Sequence, residues 1–296
     1  MSFPRAAKAL AVLILASACR GRGAEPTTGF ADDFGVPMRA GSTAFPARIV
    51  SLSPATTEIL FALGAGPRVV GRTHWDTYPE AARAAADLGP GIRPNVEAVL
   101  AQRPDLVILY ASDDDRPAAD RLRAAGITVI ALKIDRIDQF QRAVRLLGLA
   151  TGENANAATV VDTVMGTLAR VRTATQPLDH PTVFWHVWDA PIYTIGAGSY
   201  LDELVAIAGG RNIYADLTSP SPQVSLEDII RRDPHFVLAG PEGAARIRAS
   251  APWHGVRAVR EGRVLVVDTM LVGRPSVRLG EAAADLARLL HPGLRP

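Results

Sequence analysis

An α/β architecture of two lobes with parallel-sheet cores is what this sequence predicts, and three observations carry the prediction. From Arg48 onward, short apolar runs alternate with amphipathic helical stretches, which favours parallel strands with helices on their faces. A phrase recurs: "NVEAVLAQRPDLVILY" (Asn95–Tyr110) returns as "VSLEDIIRRDPHFVLAG" (Val224–Gly240), each with a Glu opening an amphipathic run, a Pro closing it and an apolar run following. Glu97 matches Glu227, and Pro104 matches Pro234. Between the copies, "TGENANAATVVDTVMGTLARVRTATQ" contains no Pro, while Val160, Val161, Val164, Met165, Leu168 and Val171 recur at helical spacing. About 23 residues at ~1.5 Å rise give a helix of roughly 35 Å, long enough to leave one lobe and reach another.

The elements follow in order. Arg5 and Lys8 precede "ALAVLILASA" (Ala9–Ala18), an apolar run too short to span a bilayer, and small residues lead into Cys19, the only cysteine. That is the pattern of an export signal. With Cys at the cleavage point, residues 1–19 are expected to be a lipoprotein signal with Cys19 lipidated; a plain signal peptide is the alternative. Residues 20–47, rich in Gly, Pro and small polar residues, are expected to form a flexible tether. Residues 48–150 make the first lobe, 151–177 the linking helix and 178–296 the second lobe. "RIVSLS" is a strand running into Ser53 and Pro54, an N-cap and first helical position, with Ile59, Leu60 and Leu63 turned inward and Gly64 and Gly66 as the stop. "RVVG" is a further strand, and the repeated phrase supplies a helix (Val96–Gln102) and a strand (Leu106–Tyr110). "RPAADRLRAAGITVIAL" adds a helix, a Gly stop and a strand. In the second half "TVFWHVW", "SYLDELVAIAGG", "LEDIIRRD", "HFVLAG", "RVLVVD" and "RLGEAAADLARLL" continue the alternation. "EILFALGAG" (Glu58–Gly66) also resembles "ELVAIAGGR" (Glu203–Arg211), so two segments match in the same order and the lobes are related in build.

Charge and motifs exclude several functions. The chain has 32 basic and 30 acidic residues; without Arg5 and Lys8 the balance is neutral, which offers no field to hold nucleic acid. A single cysteine excludes a disulfide framework and a thiolate metal site. No Gly-x-Ser-x-Gly, Ser-x-x-Lys, phosphate-loop or His-Glu-x-x-His motif is present, and the six histidines lie far apart, so no catalytic or metal-ligating residue is assigned. "DDD" (Asp113–Asp115) carries oxygen donors for a cation, but Asp115 is placed to cap the helix that begins at Arg116 and Pro117.

Aromatic residues are scarce, yet His74 and Trp75 follow "RVVG", Tyr110 ends its strand, and Trp188 and Tyr193 flank the turn after "TVFWHVW". Ligands of open α/β sheets bind beyond the carboxyl ends of strands. Two lobes with such ends facing each other across one cleft would suit a large, flat or apolar ligand. Trp185, at mid-strand, is expected in the core, and Tyr78, before Pro79, as a turn anchor. Arg274, after the last strand, is the candidate for meeting an acidic group on a ligand.

Taken together, "RIVSLSPATTEILFALGAGPRVVGRTHWDTYPEA", "NVEAVLAQRPDLVILY", "SPQVSLEDIIRRDP" and "GRPSVRLG" resemble the substrate-binding proteins of ABC importers for vitamin B12 and iron chelates, over residues 48 to 296. The resemblance implies Rossmann-like lobes bridged by a rigid long helix, a ligand between them and little hinge closure. It implies no catalysis and no intrinsic cofactor; the cargo is a cobalt- or iron-containing chelate. It also assigns the repeated Glu. One on each lobe docks into arginines of a two-fold permease, and Glu97 and Glu227 occupy those positions. By position Trp75, Tyr110, Tyr193 and Arg274 match pocket residues of B12-binding members, with Trp188 and His74 beside them. Where those members place a Trp ahead of each docking Glu this chain has Gly91 and Ser221, and Met270 replaces an acidic pocket residue, which widens the cleft. A corrinoid is the first ligand expected. Haem, with His74, Tyr110 or Tyr193 as axial ligand, or a ferric siderophore is the second. The whole is expected as an exported monomer, lipid-anchored in the periplasm or cell envelope. Two readings of another class are an exported enzyme acting on a tetrapyrrole through His74 or the "DDD" segment, and a sensor docking to a signalling protein.

Overall fold

The computed structural model describes residues 27–39 and 45–294. Cys19, the apolar leader and the start of the expected tether lie outside the described residues.

Within the segment expected as a tether, β1 (Thr27–Ala31) and β2 (Pro37–Arg39) form an antiparallel hairpin. Polar contacts hold it down, which is why no apolar period announces it. The buried carboxylate of Asp32 accepts hydrogen bonds from the backbone N–H groups of Phe34, Val36 and Ala131, and from the Arg123 guanidinium at 2.6 Å. The Asp33 N–H donates to the Ala131 carbonyl at 2.8 Å, and Arg116 lies 4.1 Å over the Phe34 ring.

The first lobe comprises β3 (Ile49–Ser51), α1 (Pro54–Ala62), β4 (Val69–Arg72), β5 (Ala86–Asp87), α2 (Val96–Ala101), β6 (Leu106–Tyr110), α3 (Arg116–Ala124), β7 (Thr128–Leu132) and α4 (Ile137–Thr151). Its strands form one parallel sheet in the order β5-β4-β3-β6-β7. The β1–β2 hairpin covers the open β7 edge, where unpaired backbone groups would otherwise face a partner chain. α5 (Asn154–Thr175) is the expected linking helix, 22 residues long, or about 33 Å. The second lobe contains β8 (Thr182–Trp185), the hairpin of β9 (Trp188–Asp189) and β10 (Ile192–Tyr193), α6 (Tyr200–Ile207), β11 (Arg211–Asn212), α7 (Leu226–Arg232), β12 (Phe236–Ala239), α8 (Pro241–Ala249), α9 (Arg257–Arg260), β13 (Val264–Val266), α10 (Thr269–Val272) and α11 (Leu279–Leu290). Its parallel sheet runs β11-β8-β12-β13.

The continuous apolar runs follow from burial on both sheet faces. Ile49, Leu106, Ile108 and Ile130 pack with α1, α4 and α5, while Val50, Val107, Leu109 and Val129 pack with α2 and α3. The first of these clusters crosses the lobe boundary. It continues through Val161, Val164, Leu168 and Val171 of α5 to Val183 and Trp185 of β8 and Leu286 of α11. Trp185 is therefore a core residue, as expected. In each sheet the chain winds first to one side and then to the other, so switch points fall between β3 and β6 and between β8 and β12. Among the described residues no helix is long and apolar enough to cross a membrane.

Candidate ligand-binding cleft

Exposed apolar side chains concentrate where the strands end. Of ten large hydrophobic residues left exposed among the described residues, six sit on connections leaving carboxyl ends: Trp75 and Tyr78 after β4, Ile92 after β5, Val187 and Trp188 after β8, and Met270 after β13. Trp75, Ile92 and Trp188 are 57%, 63% and 60% exposed, far beyond what packing of a closed monomer requires. The β9–β10 register sets Trp188 opposite Tyr193, and directly opposed residues share a face. Behind the hairpin, buried His186 makes a 2.7 Å hydrogen bond to Asp189, which also accepts from Arg246 at 2.5 Å, so the turn carrying Trp188 is anchored to the sheet. His74 is exposed, its ring edge-on to Trp75 at 4.3 Å. Gly91 has φ +86°, and a Cβ there would meet the Leu52 carbonyl oxygen at 2.5 Å. No aromatic residue fits at 91 on this backbone, and the neighbouring Ile92 supplies apolar surface in its place.

Arg274 is placed differently from the expectation that it meets a ligand's acidic group. It is 9% exposed, donates to the Trp75 carbonyl, and pairs with the buried carboxylate of Glu58 at 3.2 Å. Arg278 reaches the other Glu58 oxygen at 3.2 Å and lies 4.3 Å over the Tyr78 ring. Ser276 adds its hydroxyl to Glu58 at 2.5 Å. Tyr78, in the bend before Pro79, thus also makes an inter-lobe contact. On the other side of the interface Arg136, at the N-cap position of α4, pairs with Glu203 of α6 at 3.1 Å and donates to the Ala197 carbonyl at 2.9 Å. Burial raises the pKa of Glu203, and Arg136 opposes that rise. Glu58 and Glu203 are the matched residues of the second repeat. Each receives an arginine from the opposite lobe, a role visible only once the lobes are in contact.

Beneath the His74–Trp75 turn, Asp76 is 1% exposed and accepts from the Thr73 N–H at 2.5 Å, while its other oxygen has no partner. Burial pushes its pKa up to about 6, against hydrogen bonds from Thr73 and Thr57 and the charge of Arg274. Tyr110 donates to Asp135 at 2.7 Å; burial, that bond and the charges of Asp135 and Asp33 raise its pKa and hold the phenol protonated. Both border a cavity of about 230 Å³ with Ser53 and Ala55 of the first lobe and Tyr200 and Pro275 of the second. Ser53 holds the N-cap position expected of it, but its hydroxyl makes no capping bond. A larger hollow of about 900 Å³ lies at the amino ends of β8 and β12, the far edge of that sheet, lined by His180, His235 and His291 among others. Among the described residues no group of three or more His, Cys, Asp or Glu is arranged to hold a metal.

Asp115 occupies the N-cap of α3 without capping it; its carboxylate accepts from the Arg93 N–H and the Ser112 hydroxyl, each at 2.7 Å. Asp114 pairs with Arg93 at 2.8 Å. Asp114 and Asp115 thus tie one loop to another.

Glu97 and Glu227 are equivalent in space. Each is the second residue of its helix, exposed, and preceded by a cap whose side chain accepts a backbone N–H, Asn95 in α2 and Ser225 in α7. Hydrogen bonding from its own backbone N–H is the first cause lowering each carboxyl's pKa. Arg121 lies 2.6 Å from Glu97. The residue before each closing Pro adopts the left-handed region in both copies, φ 49° at Arg103 and 46° at Asp233. Because each helix feeds the amino end of its strand, both glutamates start at the carboxyl edge, on the face of the molecule that carries the cleft.

The periplasmic binding protein family model matches residues 49–270. An uncharacterized ABC transporter substrate-binding lipoprotein of Bacillus subtilis is 31% identical over 255 residues, covering 83% of this chain and 81% of its own. A cobalamin-binding protein of Halobacterium salinarum is 32% identical over 260 residues, 83% of this chain and 70% of its own. Among solved structures, a periplasmic haem-binding protein from Roseiflexus sp. RS-1 in apo form superposes with TM-score 0.75 at 26% identity, over 82% of this chain and 97% of that one.

Proposed function

The chain belongs to the periplasmic binding protein family, and from that premise we propose that it is the extracytoplasmic receptor of an ABC importer, capturing a corrinoid of the cobalamin class and delivering it to the permease. One observation supports this reading: exposed apolar side chains gather on connections leaving the carboxyl ends of both sheets, so that Trp75, Tyr78 and Ile92 would line one wall and Trp188, Met270 and the half-buried Tyr193 the other. Apolar surface of that kind recovers its solvation cost when a large flat ligand covers it. The similarity to a cobalamin-binding protein over most of the chain supports the ligand class. Glu97 and Glu227 would dock to arginines on two permease subunits, fixing register more than supplying affinity. Cys19 would carry the lipid that keeps the receptor at the membrane. Its cargo is a metal chelate, with no resident cofactor and no catalytic step.

Haem is the second reading, favoured by the similarity to a haem-binding protein and by His74 standing exposed beside Trp75. Tyr110 suits axial ligation poorly, because its proton is held by Asp135.

An absorbance titration of the chain from Arg20 onward tests the proposal. The expected result is a saturable one-to-one change with cyanocobalamin, weakened about tenfold or more by Trp75→Ala and by Trp188→Ala. A silent cyanocobalamin titration with a shifted Soret band for haemin would replace the corrinoid by haem.

A further inference from the structure

The cavity of about 230 Å³ between the lobes is lined by Ser53, which follows β3, and by Tyr110, which ends β6. Those two strands flank the switch point of the first sheet, the place where open α/β sheets offer connections that diverge and leave room for a ligand. The C-lobe switch point is closed by comparison, since buried His186 fills it and a Cβ on Gly243 would come within 2.9 Å of that ring. The first-lobe cavity is also roofed from the second lobe, where the Tyr200 N–H donates to the Asp135 carbonyl at 2.6 Å.

Its polar equipment is one-sided. Asp135, with a side chain 23% exposed, spends one oxygen on Tyr110 and faces Lys133 with the other at 3.4 Å. A carboxylate pair of oxygens accepts about four hydrogen bonds and donates none, so acceptor capacity remains. Lys133, half exposed, is the cation beside Asp135, and the nearby arginines are paired elsewhere: Arg274 and Arg278 with Glu58, Arg136 with Glu203, Arg142 with Asp33. The Ser53 hydroxyl, free of the capping bond its position invites, is the remaining uncommitted polar group on the wall.

We infer that this cavity is a subsite for a hydrogen-bond-donating arm of the ligand, an amide or ammonium group, and that Asp135 sets specificity by accepting from it and by repelling chelates with carboxylate or catecholate arms. The inference rests on the receptor reading above. It goes beyond it in assigning a charge preference to a named residue, and that preference applies to any chelate taken into the cleft.

Four probes separate the two statements: cyanocobalamin, neutral with amide arms; ferrioxamine B, a cationic iron chelate; haemin, with propionates; and ferric enterobactin, a trianion. Dissociation constants are measured for the wild-type chain and for Asp135→Asn, which keeps the shape and the acceptor for Tyr110. The expected result is binding confined to the first two probes, a loss of about tenfold or more for them in Asp135→Asn, and a gain for haemin and ferric enterobactin in the same variant. Tyr110→Phe, which frees a carboxylate lone pair, is expected to retain the wild-type order of preference. Binding of ferrioxamine B without cyanocobalamin would overturn the corrinoid reading and leave the subsite standing. Equal loss on all probes, or no change in the ratio between neutral and anionic ones, would overturn the subsite and leave the receptor. Wild-type preference for haemin or ferric enterobactin would overturn the subsite and replace the corrinoid by an anionic chelate, leaving the receptor standing.

Discussion

Asp76 is a carboxyl placed against its own stability, directly under the turn that carries the first lobe's one tryptophan, Trp75. Its pKa, lifted by burial from 3.8 to about 6, means that the folded chain holds this proton more tightly than the unfolded chain does. The sign follows: its favourable contribution is complete below the unfolded value and is lost as pH rises through about 6. Asp76→Asn retains an acceptor for the Thr73 N–H and removes the buried charge. The variant is expected to gain about 1–3 kcal/mol near pH 7, with the gain fading near pH 4, in denaturant unfolding at both pH values. A gain of the same size at both would assign the effect to packing. Ser53 and Asp115 carry a related lesson, since both hold N-cap positions and neither caps. Position along the chain is enough to predict a cap, but a side chain also has tertiary partners, and for Asp115 the Arg93 N–H and Ser112 prevail.

At the scale of elements, the repeated phrase is a unit of capped helix, left-handed residue, Pro and strand, and it presents Glu97 and Glu227 alike. Reversing either charge, Glu97→Arg or Glu227→Arg, is expected to lower ligand uptake in a transport assay by about tenfold or more while leaving the dissociation constant of the isolated receptor unchanged. Uptake at the wild-type rate in the double variant would sink the docking assignment. The Arg121 pair at Glu97 is a solvent-exposed contact, screened by water and salt, and does not prevent exchange for a permease arginine. Helix α5 was legible because its buried stripe of Val161, Val164, Leu168 and Val171 keeps a helical period. The β1–β2 hairpin was not, because hydrogen bonds donated by backbone N–H groups to the Asp32 and Asp33 carboxylates leave no period in the sequence.

For the whole molecule, one apolar cluster runs from the first sheet through α5 to the second, so the lobes are expected to unfold together. Leu168→Ala is expected to cost about 2–5 kcal/mol and to move a single thermal transition; two separated transitions would show that the lobes unfold independently. The reciprocal arginine contacts are unequal. Glu58 is fully buried between Arg274 and Arg278, whereas Arg136 is 43% exposed beside Glu203. Glu58→Ala, which strands two arginines at the interface, should therefore cost about 3–5 kcal/mol, and Arg136→Ala about 1 kcal/mol or less. Chemical denaturation of the two variants side by side checks the order.

Periodicity and repetition were sufficient, on the chain alone, for the two parallel-sheet lobes, the long linking helix and the equivalence of Glu97 with Glu227, because each of these is a local pattern written in the spacing of apolar and capping residues. The commitment of Arg274 to Glu58, the exposure of Ile92 beside a Gly91 that admits no side chain, and the carboxylate of Asp135 over a switch-point cavity required the folded chain. Glu58 and Arg274 are 216 residues apart. No local spacing encodes a contact of that separation; it exists only because a shared apolar core brings the carboxyl ends of two sheets to the same face.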